Sequence, residues 1–162
     1  MRGHISIEIP VKGYIRAFMI SELGEVVKLS RGTHWINEKL YDLLEHKVNH
    51  QRTISKCNYD QKIRIFISME TFKRRGQYLN NCNIRSFNRF MEKMVKYRFY
   101  MIMDDLVDIL PSFQNNLPEA RRRLGIDIEG WSDESMQKDY YRHRKEVNKP
   151  MLYRGYSASH PH

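Results

Sequence analysis

The residues of this sequence best placed to act together are cations. Lys73, Arg74 and Arg75 stand in a row beside Gly76 and Tyr78, and Arg85, Arg89, Lys93 and Lys96 follow at steps of four, four and three. At that spacing the last four share one helix face. With the triplet ahead of them they form the densest candidate phosphate-binding surface in the chain. Lys and Arg contacts of this kind supply affinity for a nucleic-acid backbone without telling sequences apart. Further on, Gln137, Lys138, Arg142 and Arg144 would be the exposed side chains of a second helix, suited to base edges in a major groove.

Other chemistries are poorly served. His46 and His50 are an i, i+4 pair, and Cys57 and Cys82 are thiols, all zinc-ligand types, yet neither Cys sits in a C-x-x-C pair and the four spacings do not match a metal site. Either thiol as a nucleophile would need an orienting group and an oxyanion site that the sequence does not locate. No Gly-rich loop follows a strand, which removes the P-loop and the dinucleotide fingerprint. Asp104, Asp105 and Asp108 could bind Mg²⁺, but carboxylates at an exposed helix end are expected to be solvated. The expectation is a non-enzyme with no catalytic residue, no metal and no cofactor.

The element that must position the cations is a long helix from Ile84 to Leu110. Ile84, Phe87, Phe90, Met91, Met94, Val95, Phe99, Ile102, Met103, Leu106, Ile109 and Leu110 recur at helical spacing, with neither Pro nor Gly between them. That gives about seven turns, or roughly 40 Å. Asn83 is the N-cap candidate and Pro111 the stop. The first half carries Arg85, Arg89, Lys93 and Lys96 and the last turns carry Asp104, Asp105 and Asp108, an order opposed to the helix dipole. Something other than helix stability is implied to hold the cations there.

Around this spine the chain reads as α+β. Strict alternation over Ile5 to Ile9 predicts a strand ended by Pro10, and Val11 to Leu23 a helix closed by Gly24. Val26 to Leu29 predicts a second strand, and Trp35 to Leu44 a helix capped by Thr33. His46 to Asn58 is a polar connection expected to be mobile. Ile63, Ile65 and Ile67 predict a third strand whose other face carries Lys62, Arg64 and Phe66, a combination that often holds single-stranded nucleic acid, though an ordinary solvated sheet face has the same pattern. A short helix over Glu70 to Arg75, stopped by Gly76, leads to the spine. A helix joins the first two strands, which permits a parallel pair between them.

After Pro111 the spacing predicts a loop over Ser112 to Asn116, a short helix opened by Leu117 and Pro118, and a last helix from Asp133 to Lys149 capped by Ser132. This C-terminal pair resembles a helix-turn-helix loosely, because Ala120 precedes Gly125 by five rather than four and the turn from Asp127 to Trp131 is long. An ordinary hairpin packing Leu124, Ile126, Trp131, Met136 and Tyr140 on the core is the other reading. The organisation expected is an α+β core over 1–111, the helical pair over 112–149 and a loosely ordered tail over 150–162.

Composition bounds the function. Of 162 residues 41% are hydrophobic, which excludes a wholly disordered chain, and no apolar run approaches membrane-spanning length. Two cysteines are too few for a disulfide framework, so a reducing cytoplasm is expected. Lys and Arg outnumber Asp and Glu by 28 to 19, for a net charge of +9. Between Arg52 and Arg98 twelve cations face only Asp60, Glu70 and Glu92, so this window carries the whole excess. Anionic partners follow.

The opening Ile7-Glu8-Ile9-Pro10-Val11, the central long helix, and a close of Leu124-Gly125-Ile126-Asp127, Trp131 and Lys138-Asp139-Tyr140-Tyr141-Arg142 together resemble small proteins carried by bacterial phages and other mobile elements. That resemblance implies a bacterial host cytoplasm and an association with DNA, and it supplies no functional residues. The expected function is non-enzymatic binding of nucleic acid, DNA first, with no membrane partner. Changing Arg74, Arg75 and Arg89 to Glu is expected to abolish binding without unfolding. The competing reading is a protein-interaction module, a homodimer or a partner of an acidic host protein, in which the Met- and Phe-rich helix completes its burial.

Overall fold

Alternation of Ile with polar residues sets a three-stranded sheet. In the computed structural model, which describes residues 3–30, 32, 34–47, 59–126 and 130–148, β1 (His4–Val11) buries Ile9 and Val11, β2 (Val27–Leu29) buries its two ends, and β3 (Gln61–Ser68) buries Ile63, Ile65 and Ile67. The order is β1-β3-β2, with β1 antiparallel and β2 parallel to β3. The first two strands therefore do not pair, as the right-handed crossover would have allowed, because β3 lies between them. Nor does Pro10 end β1. It lacks an N–H, but β1 is an edge strand, where such a residue is tolerated, and pairing continues to Val11 opposite Gln61.

Helices cover the inner face of the sheet. α1 (Gly13–Leu23) buries Tyr14, Ile15, Phe18 and Met19 and is closed by Gly24, whose N–H goes to the Ile20 carbonyl. α2 (Trp35–Leu43) is capped by His34, whose side chain accepts from the Ile36 N–H, while Thr33 lies outside the described residues. α3 (Met69–Arg75) is capped by Ser68 and stopped by Gly76 at φ 86°. At Gly76 a Cβ would collide with the Glu45 carbonyl, so only glycine lets the chain pass.

The spine, α4 (Asn81–Ile109), buries Ile84, Phe87, Met91, Val95, Phe99, Met103 and Leu106 of the stripe read from the sequence; Phe90, Met94 and Ile102 are half-buried, and Ile109 and Leu110, at the helix end past the packed core, are exposed. Its cap is Asn80, one turn earlier than expected, and the Asn83 side chain instead donates to the Leu43 carbonyl and to Glu45. Buried Asn88 sits inside the apolar stripe because the β1–α1 junction needs it. Its side chain accepts from the Lys12 N–H and donates to the Pro10 carbonyl, satisfying backbone groups that would otherwise be buried unpaired.

α5 (Phe113–Leu124) begins at Ser112, so the expected loop over Ser112 to Asn116 is helical and Pro118 lies inside the helix. Pro118 forfeits one hydrogen bond to the Gln114 carbonyl; both residues are exposed. α6 (Asp133–Val147) is capped by Ser132 as expected. Leu124, Ile126, Trp131, Met136 and Tyr140 are all buried, in the same cluster as the sheet isoleucines. The expected tail, and with it Lys149 and Pro150, lies outside the described residues, as do 48–58 and 127–129.

Candidate nucleic-acid interface

The basic block is contiguous in sequence and divided in space. Arg75 turns back on the end of α2, donating to the carbonyls of Tyr41 at 3.1 Å and Asp42 at 2.7 Å while lying over the Tyr41 ring. Its role is a clamp between α2 and α3, so replacing it with Glu would open that junction and confuse any binding test. Arg74 pairs with Glu70 at 3.0 Å and lines a cavity with Lys28 and Phe66 at one end of the sheet. Lys73 is exposed.

Arg85, Arg89 and Lys93 remain together. With Cys82, Ser86 and Phe90 they line one groove along the first half of α4. Steps of four place the three cations on one ridge, roughly 6 Å apart along the axis. Arg89 and Lys93 are exposed and make no ion pair among the described residues, and Arg85 is half-buried beside them. Lys39 of α2 reaches the same place, its Nζ 5.3 Å from the centre of the Phe90 ring, which is itself held edge-on by Trp35. Nothing in the sequence signalled Lys39, because its membership depends on α2 packing against α4.

Lys96, three residues beyond Lys93, leaves this ridge. It pairs with Glu92 at 3.4 Å and with Asp139 of α6 at 2.9 Å, and its Nζ lies over the Trp131 ring. Glu92 also takes Lys12 at 2.8 Å, and Asp139 lies 3.7 Å from Arg142. A charge chain thus crosses from the start of α1 through α4 to α6. Burial depresses the Lys96 ammonium, but the Asp139 hydrogen bond and the two carboxylates prevail and hold its pKa above the ordinary value.

On α6, the expected base-reading side chains have mixed fates. Lys138 and Arg142 are exposed one turn apart, whereas Gln137 is half-buried. Arg144 pairs with Asp104 at 3.2 Å, and Asp104 also accepts from the Tyr140 hydroxyl at 2.7 Å. Burial and this carboxylate push the Tyr140 phenol well up. His143 stacks on Tyr100 with ring centres 4.2 Å apart. The start of α6 is fixed by buried Arg121, which donates to the Trp131 carbonyl at 2.6 Å and to Asp133. Asp104 is therefore a docking residue of the hairpin, not a solvated carboxylate.

Of the zinc-type residues, His50 and Cys57 lie outside the described residues, and His46 meets the Arg74 carbonyl at 3.0 Å. Among the described residues no cluster of metal-ligating side chains occurs and no helix is long and apolar enough to cross a membrane. Comparison with family models, with curated proteins and with solved structures gives no match.

Proposed function

We propose that this chain is a non-enzymatic nucleic-acid-binding protein, of DNA first, that docks the phosphate backbone on the α4 ridge of Arg85, Arg89 and Lys93 with Lys39 at its side. The observation that carries this reading is the state of Arg89 and Lys93, which are exposed and have no carboxylate partner among the described residues. Elsewhere the cations of α4 are paired, Lys96 with Asp139 and Arg98 with Glu22. Arg89 and Lys93 meet no acid among the described residues, although they oppose the helix dipole. Two exposed, unneutralised cations one turn apart are a foothold for a polyanion. Lys138 and Arg142 on α6 form a second contact. The test is fluorescence anisotropy of a labelled mixed-sequence duplex with the wild type and with an Arg89→Glu/Lys93→Glu variant. Loss of binding in the folded variant supports the ridge, and retained affinity discards it.

A second reading, a protein-interaction module, draws on the other half of α4. Tyr97 and Met101 are 56% and 51% exposed and border an apolar groove with Trp35, Met94 and Ile102. Two copies of α4 crossing antiparallel at Tyr97 would set Arg89 of one against Asp105 of the other. Light scattering separates the two readings: a dimer broken by Tyr97→Asp, together with no duplex binding, favours this one.

A further inference from the structure

Among the described residues no helix lies over the outer face of the sheet, and the centre of that face is an aromatic ring. Phe66 on β3 stands opposite Ser6 on β1 and Lys28 on β2, so one row across the sheet reads Ser, Phe, Lys. The next row pairs Glu8 with Arg64, and the one after it Pro10 with Lys62. Neighbouring strands lie about 4.8 Å apart, which puts these side chains within reach of one another.

Phe66 has no structural duty there that its neighbours share. The inward side chains of β3 are buried isoleucines, while Phe66 points away from them and is half-exposed between serine and lysine. Among the described residues its ring meets no other aromatic ring and no cation. It separates two cavities, of about 390 and 420 Å³, and lines both. Lys28 and Arg74 line the first, with Glu70; Arg16, Lys62 and Arg64 line the second, with Glu8 and Glu25, so cations outnumber carboxylates in each. Lys28 is exposed and makes no ion pair among the described residues, and Lys62 and Arg64 share the single carboxylate of Glu8, at 3.5 and 3.2 Å.

We propose that this face is a binding site for single-stranded nucleic acid, in which a base stacks on Phe66 and the flanking phosphates lie against Lys28 on one side and Arg64 and Lys62 on the other. The inference rests on the nucleic-acid reading above but uses a different surface and a different strand form. An accessible ring between cation-lined hollows suits an unpaired base, whose face is free to stack. A duplex keeps its bases stacked on one another and has no use for such a ring. Small Ser6 beside Phe66 leaves the ring's approach open.

The test measures anisotropy of a labelled oligothymidylate and of a mixed-sequence duplex with the same full-length protein. Phe66→Leu keeps the apolar bulk and removes the ring. It is expected to weaken strand binding about tenfold and to leave duplex binding and the melting temperature unchanged. Phe66→Trp restores strand binding, and Lys28→Glu weakens it. Arg89→Glu/Lys93→Glu does the reverse, losing the duplex and keeping the strand. Wild-type strand affinity in Phe66→Leu, or duplex binding with no strand binding in the wild type, overturns the sheet site alone. Binding of neither form at low salt overturns the nucleic-acid reading with it.

Discussion

Lys96 of α4 and Asp139 of α6 are joined by an ion pair of 2.9 Å in which both side chains are largely withdrawn from solvent, at 28% and 16% exposure. The pair makes Lys96 a strut of the fold and takes it out of the phosphate-binding row. Lys96→Met and Asp139→Asn should each lower stability by about 1–2 kcal/mol, and a double-mutant cycle should show coupling of about 1 kcal/mol. Denaturant unfolding measures both. Duplex affinity of Lys96→Met should stay at the wild-type value. If it falls as far as that of Lys93→Ala with stability unchanged, Lys96 belongs to the interface after all.

Salt dependence should report the ridge directly. Each phosphate neutralised contributes about 0.9 to the slope of log affinity against log salt. Arg89→Ala and Lys93→Ala should each flatten that slope by about 0.9, whereas Arg122→Ala should leave it alone, since Arg122 already pairs with Glu119 at 2.7 Å. Equal slopes for all three variants would sink the assignment.

One ring stands at the apolar centre of the contact between α4 and the C-terminal hairpin. Phe99 on α4 is fully buried and meets Phe113 of α5, Trp131 and Tyr140 of α6, with centres 6.5, 5.2 and 6.2 Å away. Phe99→Ala should cost about 3–5 kcal/mol and make the C-terminal hairpin more susceptible to limited proteolysis. A loss below about 1 kcal/mol, with cleavage unchanged, would mean that the hairpin docks by other contacts.

Acid should loosen the junction of α1, α4 and α6. Burial pushes the Glu92 carboxyl up, but the Lys12 hydrogen bond and Lys96 outweigh it and leave the carboxyl below its ordinary 4.5. The unfolded chain then holds this proton more tightly than the folded one. The stabilisation is complete above 4.5 and drains away as pH falls through the lower, folded value. Urea midpoints from neutral pH down to pH 3 should show the fall, and Glu92→Gln should be weaker at neutral pH and flatter below. A Glu92→Gln curve parallel to the wild type would place the acid sensitivity elsewhere.

Much of this molecule follows from local chemistry. The spine was legible because Ile84, Phe87, Met91, Val95, Phe99 and Met103 keep helical period without interruption, and Gly24, Gly76 and Ser132 mark ends by backbone freedom or a capping hydroxyl, effects that act within a turn. β1 and β3 were legible because alternate isoleucines must share a face. Tertiary structure alone decided the rest. β3 took the centre of the sheet, Pro10 stayed in its strand because that strand is an edge, and α5 started early because Phe113 finds Phe99. The same holds for the cations. Charge and spacing put Arg75, Arg89 and Lys96 in one candidate surface, but a charge is neutralised by whatever lies nearest in space. Only packing could give Arg75 the end of α2, give Lys96 to Asp139, and leave Arg89 and Lys93 facing solvent with Lys39 brought in from another helix.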